Sequence, residues 1–570
     1  RARAISSRLE CAEPRYEGAA AASFGDLLRP GSQTPEFARM LEIRLRTPWA
    51  PGTAAAAADY VDPFATIAPA AAAKDDGRRA GASLQSEEQL RAHVQDLQQA
   101  AERKHEQAAV EACDRLLEIF QRDDAASVPS LMGRGAKAAA RRSEEAALFM
   151  TEHGMLPLVR LLGRSDSTRV NHKLLQLLNA ILRRGGTYVC ETACLLGVIP
   201  CVLPCVKSHY VLHVRLEAAR FCHAVCCASS LTLQMFVACN GLPALAQLLV
   251  TPASSQPLVL LALDAIKSVL DMKGRAPRND LCRTFVELGV LQLLVDALHA
   301  IYAEHKAAAE TAAEILLLFS CADTVVKAQM AQRSVLPGVI RVISSPDDFS
   351  RTTVLRLLRC VKHLCMGQAA HMDELQRAQA IPCLVSLLRR TQSGELPAEM
   401  RNQCINALYL MCKISKSRQE EAAVNGVLPP LQALIEQGSP LKQFALPIVC
   451  DIAKASKRAR AELKQHRGVE FYLSLLSAEY WQEAALDALL AWLLDEPTYV
   501  SRAMEAPQGV SALLGVMETR NSSFVNMLEP MLKIAYNSSS VNQALGRLDA
   551  RSGKSPFIVA LVSRLEHPNA

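Results

Sequence analysis

A short pattern, Gly-apolar-apolar-Pro followed by apolar residues at helical spacing, recurs along most of this 570-residue chain. It reads Gly154-Met155-Leu156-Pro157-Leu158-Val159, Gly197-Val198-Ile199-Pro200, Gly241-Leu242-Pro243-Ala244-Leu245 and Gly289-Val290-Leu291. It returns as Val335-Leu336-Pro337, Ala380-Ile381-Pro382-Cys383-Leu384 and Gly426-Val427-Leu428-Pro429, with weaker copies at Gly468-Val469, Gly509-Val510 and Pro556-Phe557-Ile558. The proline position or its equivalent falls at 157, 200, 243, 292, 337, 382, 429, 470, 511 and 556, in steps of 43, 43, 49, 45, 45, 47, 41, 41 and 45 residues. A near-constant period of that length specifies stacked copies of one supersecondary unit, not a single globular core.

The chemistry of the pattern fits a helical unit. Glycine tolerates the left-handed turn that ends a helix. Proline suits the first turn of the next helix, where its missing N–H is no loss. A longer amphipathic stretch follows each copy, for example Leu174–Leu182, Val354–Leu364 and Ile405–Ile414. No unit can bury its apolar stripe alone, so neighbours must stack. Half of the residues are hydrophobic but only 5% are aromatic, a composition of helices packed on helices. The expected fold is therefore all-α, an armadillo/HEAT-type right-handed α-solenoid over residues 86–570 with a disordered N-terminal linker. Residues 1–85 form that linker, rich in Ala, Pro, Gly and Arg and broken by Pro30, Pro48, Pro51, Pro63 and Pro69. A polar, Gly- and Ala-rich insertion is expected at about 123–144.

Several function classes have no support. The formal net charge is only +6, and no basic block with interleaved aromatics points to nucleic acid. The longest stretch without Asp, Glu, Lys or Arg, Phe221–Leu263, is interrupted by Ser229, Ser230, Thr232, Gln234, Asn240 and Pro243, so no membrane span is expected. The 18 cysteines are scattered through apolar runs, which fits reduced thiols in a cytoplasmic protein. Cys190 and Cys194, Cys201 and Cys205, and Cys222 and Cys226 are spaced i, i+4, with His209, His213 and His223 nearby. Zinc sites use closer spacings with turns between them, so these thiols read as small core residues. Trp481 and Trp492 likewise read as core. No metal, cofactor or catalytic residue is expected. The chain opens Arg-Ala-Arg without a methionine, which reads as a fragment lacking an upstream portion.

The second half is more specific. Met411-Cys412-Lys413-Ile414-Ser415-Lys416-Ser417-Arg418-Gln419-Glu420 leads into Ala422-Ala423-Val424-Asn425-Gly426, followed by Ser439-Pro440-Leu441-Lys442-Gln443-Phe444-Ala445-Leu446-Pro447 and Glu479-Tyr480-Trp481. With Leu231–Phe236, Pro277–Asp280, Leu528–Pro530 and Ser563–His567, these segments resemble the C-terminal armadillo region of the epsilon-type mitogen-activated protein kinase kinase kinases, relatives of the septation kinases. In that family a long polar insert separates two armadillo blocks, whereas here the step from 292 to 337 keeps the period. The family's kinase domain lies upstream and none of it is in this chain. There is no Gly-rich phosphate loop, Val-Ala-x-Lys strand, His-Arg-Asp loop or Asp-Phe-Gly. The resemblance implies a non-catalytic, protein-binding and regulatory region of a serine/threonine kinase in a MAP kinase cascade linked to cytokinesis or cell polarity. It implies signalling kinases, scaffold or small GTPase pathway components as partners. The alternative is a free-standing armadillo scaffold without kinase activity.

Solenoid curvature presents the longer helix of each repeat along a concave groove, the natural track for a peptide. Polar residues on or beside those helices are Lys173, Arg215, Lys267, Arg356, Arg359, Lys362, Asn406 and Lys442. Most are basic, which suits an acidic or phosphorylated partner. Pro447 falls within one long helix and is expected to kink it. If the apolar stripes form a shared core, Leu387→Ala and Leu475→Ala each lower stability by about 2–5 kcal/mol through the cavities they leave. Urea denaturation checks this, and small losses at both positions contradict a buried stripe.

Overall fold

The computed structural model describes residues 77–121, 144–165, 167–250, 256–271, 278–332, 334–518, 524–547 and 553–564. Regular structure among them is helical, with no strand. The expected linker lies outside the described residues up to 76, and the helix Gly77–Arg103 begins within its expected bounds. The expected insertion also lies outside them, except Glu144, which is helical.

The described residues form two compact units, one lying within Arg1–Pro204, Ala228–Gly241 and Met272–Leu281, the other within Cys205–Cys227, Leu242–Asp271 and Cys282–Ala570. In the first, the long helices α1 (Glu106–Gln121) and α2 (Thr168–Leu195) pack against each other, and Cys113, Leu116 and Leu117 of α1 and Leu174, Leu177 and Leu178 of α2 are buried. Gly186 breaks α2 with φ 61° and ψ −157°, so the repeat's long helix ends there and the next short helix begins. Phe120 meets Phe149 edge-on at 6.0 Å, and the Arg184 guanidinium lies 5.7 Å from the Phe120 ring while pairing with Glu145 at 2.9 Å.

In the second unit the long helices are α3 (Leu212–Ala228), α4 (Gln256–Asp271), α5 (Lys306–Ser320), α6 (Arg351–Cys365), α7 (Ala398–Cys412), α8 (Lys442–Ala455), α9 (Gln482–Asp495) and α10 (Phe524–Asn537). From α4 to α10 each packs on the next. From α5 onward two shorter helices connect successive long ones, as Lys416–Val424 and Leu428–Glu436 do between α7 and α8. The stripes meet inward: Leu357, Leu358 and Val361 of α6, Ile405, Leu408 and Met411 of α7, and Leu446, Val449 and Ile452 of α8 are buried. Each such side chain contributes about 1.5–3 kcal/mol by leaving water. Leu387 and Leu475 are also buried, and Trp492 is fully enclosed beside Tyr472, whose hydroxyl donates to the Val449 carbonyl at 2.6 Å. This stacking of long helix on long helix is the armadillo-type α-solenoid arrangement.

The glycine of the repeat plays two roles. Gly197, three residues before its proline, adopts φ 85°, and nothing stands near the position of an added Cβ, so backbone conformation alone selects it. At the next copy Asn240 takes the left-handed turn (φ 61°) and Gly241 follows it. There a Cβ would stand 2.5 Å from the Phe236 ring, so glycine is required for space. Gln379 and Arg467 occupy the same left-handed place before Pro382 and Glu470. The Pro-bearing helices Leu336–Ser344 and Leu428–Glu436 carry proline in their first turn, where its missing N–H is harmless.

Five of the corners are capped by a side chain at the start of the following short helix, and those after α7 and α8 are capped from both sides. Ser229, Asp323, Ser415, Ser456 and Ser538 each accept a backbone N–H at the start of the following short helix. Two buried arginines cap the other side. Arg418 donates to the Met411 carbonyl at 3.2 Å and to Asp373 at 2.5 Å. Arg460 donates to the Ala453 carbonyl at 2.9 Å and to Asp495 at 2.5 Å. In both the carbonyl lies seven residues back, at the end of α7 or α8. Arg418→Ala and Arg460→Ala each leave a last-turn carbonyl and a carboxylate without their donor, and stability is expected to fall by about 2–4 kcal/mol. Asp373→Asn, at a half-exposed carboxylate, costs about 1 kcal/mol or less. Chemical denaturation followed by circular dichroism reads both, and wild-type midpoints for the two arginine variants contradict the capping role.

Candidate protein-binding surface

The period that turns apolar residues inward leaves the opposite side of α4 to α8 polar. In the second unit this side carries Asp264, Lys267 and Ser268 on α4, Glu310 and Glu314 on α5, and Arg356, Arg359 and Lys362 on α6. It continues with Glu399, Asn402 and Asn406 on α7 and Lys454 on α8. Charges of opposite sign meet across neighbouring helices. Lys267 Nζ lies 3.1 Å from Glu314 Oε2, and Arg356 reaches the same oxygen at 3.2 Å while donating to the Glu310 carbonyl at 2.8 Å. Arg359 pairs with Glu399, and Lys454 lies 3.7 Å from Asp487 of α9. Ser350 donates to the Glu310 carboxylate at 2.7 Å.

This geometry sorts the residues that sequence alone placed on the groove. In the first unit Lys173 pairs with Asp114 of α1 at 2.7 Å. In the second, Lys267, Arg356 and Arg359 hold carboxylates of the adjoining helix. Asn406 donates to the Asn402 carbonyl at 2.8 Å, one turn back. Arg215 is the exception to surface placement: it is only 7% exposed and its Nε donates to the Val206 carbonyl at 3.0 Å. It belongs to the frame, because the chain turning into α3 leaves a buried carbonyl that needs a donor. Lys362 is half-buried and Lys442 exposed, and neither pairs with a carboxylate among the described residues. Pro447 sits in the second turn of α8, which runs on to Ala455.

The local potential is positive on α6. Partial burial and the charges of Lys362, Lys327 and Arg359 hold the His363 imidazole below its usual range. On α7, Tyr409 meets Phe444 of α8 edge-on at 5.5 Å, with the Lys413 ammonium 6.0 Å from the Tyr409 ring. The carboxylates Glu310, Glu314 and Glu399 and this aromatic pair escaped the sequence reading. For Glu314 and Glu399 the signal was a charge opposite to a groove cation about one repeat away. Among the described residues no group of three or more His, Cys, Asp or Glu side chains is placed to hold a metal, and no single helix is long and apolar enough to cross a membrane. The i, i+4 cysteines are mostly core: Cys190, Cys194, Cys205, Cys222 and Cys226 are buried, and burial pushes the Cys222 thiol up to about 12.

The fold and this surface define a protein of the armadillo-repeat class, with a frame of stacked helices and a polar long-helix side. Its relatives are particular. Cytokinesis protein sepH of Aspergillus terreus is 35% identical over 413 residues, covering 70% of this chain and 30% of that protein. MAP3K epsilon protein kinase 1 of Brassica napus is 25% identical over 676 residues, covering 82% of this chain and 50% of that protein. The chain is thus a homologue of part of the sepH and MAP3K epsilon proteins, as the segment around Met411–Gly426 indicated, and spans about 30% of the length of the sepH relatives. No protein-family model matches the chain. Among solved structures, a designed armadillo repeat protein is 16% identical with a TM-score of 0.34, covering 45% of this chain and 98% of that one.

Proposed function

We propose that this chain is the non-catalytic interaction and regulatory region of a serine/threonine protein kinase of the MAP kinase kinase kinase type, acting in cytoplasmic signalling linked to cytokinesis or cell polarity. The observation that carries the reading is homology over 413 residues to a protein named for cytokinesis, joined by similarity to a protein named as a kinase. The relatives are much longer than this chain, which leaves room in them for a catalytic domain that these 570 residues do not contain.

The partners of such a region are proteins: signalling kinases, scaffolds or small GTPase pathway components. The contact face is the polar side of the long helices. Of the sequence-predicted groove cations, Lys362 and Lys442 have no carboxylate partner among the described residues, so they meet an acidic or phosphorylated segment directly. Lys173, Lys267, Arg356 and Arg359 join only by exchanging the carboxylates that now hold them. Half-buried ion pairs of this kind are worth little, so the exchange is inexpensive.

The test replaces the homologous stretch of Aspergillus sepH with residues 77–564 of this chain in cells lacking sepH. The chimaera is expected to restore cytokinesis. The same chimaera carrying Lys362→Glu and Lys442→Glu, folded by circular dichroism of the isolated region, is expected to restore it at least about threefold less often, as loss of charge-assisted contacts requires. A stable chimaera that restores nothing contradicts the assignment. Equal restoration by both contradicts the face.

A further inference from the structure

Cys227 and Cys321 are the exposed thiols among the described residues. Cys227 is the penultimate residue of α3. One turn earlier on the same helix, His223 places Nε2 3.6 Å from the Cys227 sulfur. From α4, the Ser268 hydroxyl oxygen stands 3.2 Å from that sulfur and 2.9 Å from the Asp264 carbonyl, so its single proton can turn to either acceptor. A nucleophile, a base and a hydroxyl donor from two adjoining helices thus converge at solvent. This is the arrangement that activates a thiol. It lies on the same polar side as Lys267, but it does not depend on what that side binds.

The neighbours favour the ion pair. Partial burial works against the Cys227 thiolate, yet hydrogen bonds from His223 and Ser268 and the imidazolium charge outweigh it. The thiol is held below its ordinary range even with Asp264 opposing. The hydrogen bond to Cys227 raises His223 above the usual imidazole range, against partial burial, with the negative charges of Cys227 and Asp264 adding. Five residues earlier on α3, Cys222 is fully buried and pushed up to about 12, out of reach of reagents. Cys321 supplies an internal comparison. It too stands near an imidazole, 3.3 Å from His363 Nδ1, but that nitrogen also meets Ser320 at 3.0 Å. Burial, Lys362, Lys327 and Arg359 keep His363 below its usual range, so it remains neutral near pH 7.

We propose that Cys227 is a redox modification site, a solvent-facing thiolate paired with the His223 imidazolium that a small peroxide oxidises to a sulfenic acid. The thiolate sulfur attacks one peroxide oxygen, forming the S–O bond as the O–O bond breaks. Sulfur loses two electrons and the peroxide gains them. The departing hydroxide takes the proton of the His223 imidazolium and leaves as water. The product Cys–SOH sits between α3 and α4, and ordinary thiols reverse it.

The full chain, folded and reduced, is treated with iodoacetamide across pH 5–10, and labelling at each cysteine is followed by peptide mass spectrometry. At pH 7, Cys227 is expected to react at least about tenfold faster than Cys321. His223→Asn is expected to remove that advantage and move the midpoint up by about one pH unit or more. Ser268→Ala produces a smaller shift in the same direction. Stoichiometric hydrogen peroxide followed by a 1,3-diketone trap is expected to label Cys227 in wild type and nothing there in Cys227→Ser. Equal rates for Cys227 and Cys321 at pH 7, or an unchanged Cys227 rate in His223→Asn with native circular dichroism, overturns the ion pair. Rapid alkylation without a trapped sulfenic acid overturns the peroxide chemistry.

Discussion

Burial of one long helix's apolar stripe against the next repeat is the interaction on which the second unit depends. Leu408 of α7 cannot leave water by folding its own repeat; it needs α6 on one side and α8 on the other. The rest follows from that need. Corners must be tight, which places left-handed residues three positions before the proline site, and they must be capped, which recruits Ser415 and Ser456 from one side and Arg418 and Arg460 from the other. The two arginines use one geometry at successive corners, a guanidinium reaching seven residues back to the last turn of the long helix. A repeated solution at repeated corners is what nearest-neighbour stacking produces.

The same packing decides what the exposed side can offer. Long helices that lie side by side bring their outward residues together at intervals of one repeat, so cations and carboxylates meet whether or not a partner is present. Lys267, Glu314 and Arg356 form such a chain across α4, α5 and α6. The surface is therefore a mixed lattice with local excess charge, positive around Lys327, Lys362 and His363. Recognition on it would be selective for position more than for total charge, because most cations already have a competitor in place.

The solenoid was legible because its signals are local. Glycine, proline and the helical spacing of leucines lie within a dozen residues of one another, and the near-constant step between copies showed that they stack. The particular relatives were legible for the same reason, through contiguous segments such as Met411–Gly426. The groove was less legible because its chemistry is set by residues one period apart. Glu314 and Glu399 stand 47 and 40 residues from the cations Lys267 and Arg359 that they hold. Arg215 was misplaced because a buried carbonyl at Val206, invisible in the sequence, claims its guanidinium. The exchange of roles between Gly197 and Gly241 was hidden too, since only the nearby Phe236 ring distinguishes a glycine kept for its φ from one kept for space.

The most direct test of the stacked seam is native-state hydrogen–deuterium exchange on Leu408→Ala compared with wild type. Because Leu408 is fully buried within α7, a nearest-neighbour stack predicts faster exchange in α6, α7 and α8, with protection of α1 and α2 unchanged. Faster exchange confined to α7, or spread evenly through every helix of the chain, would contradict it.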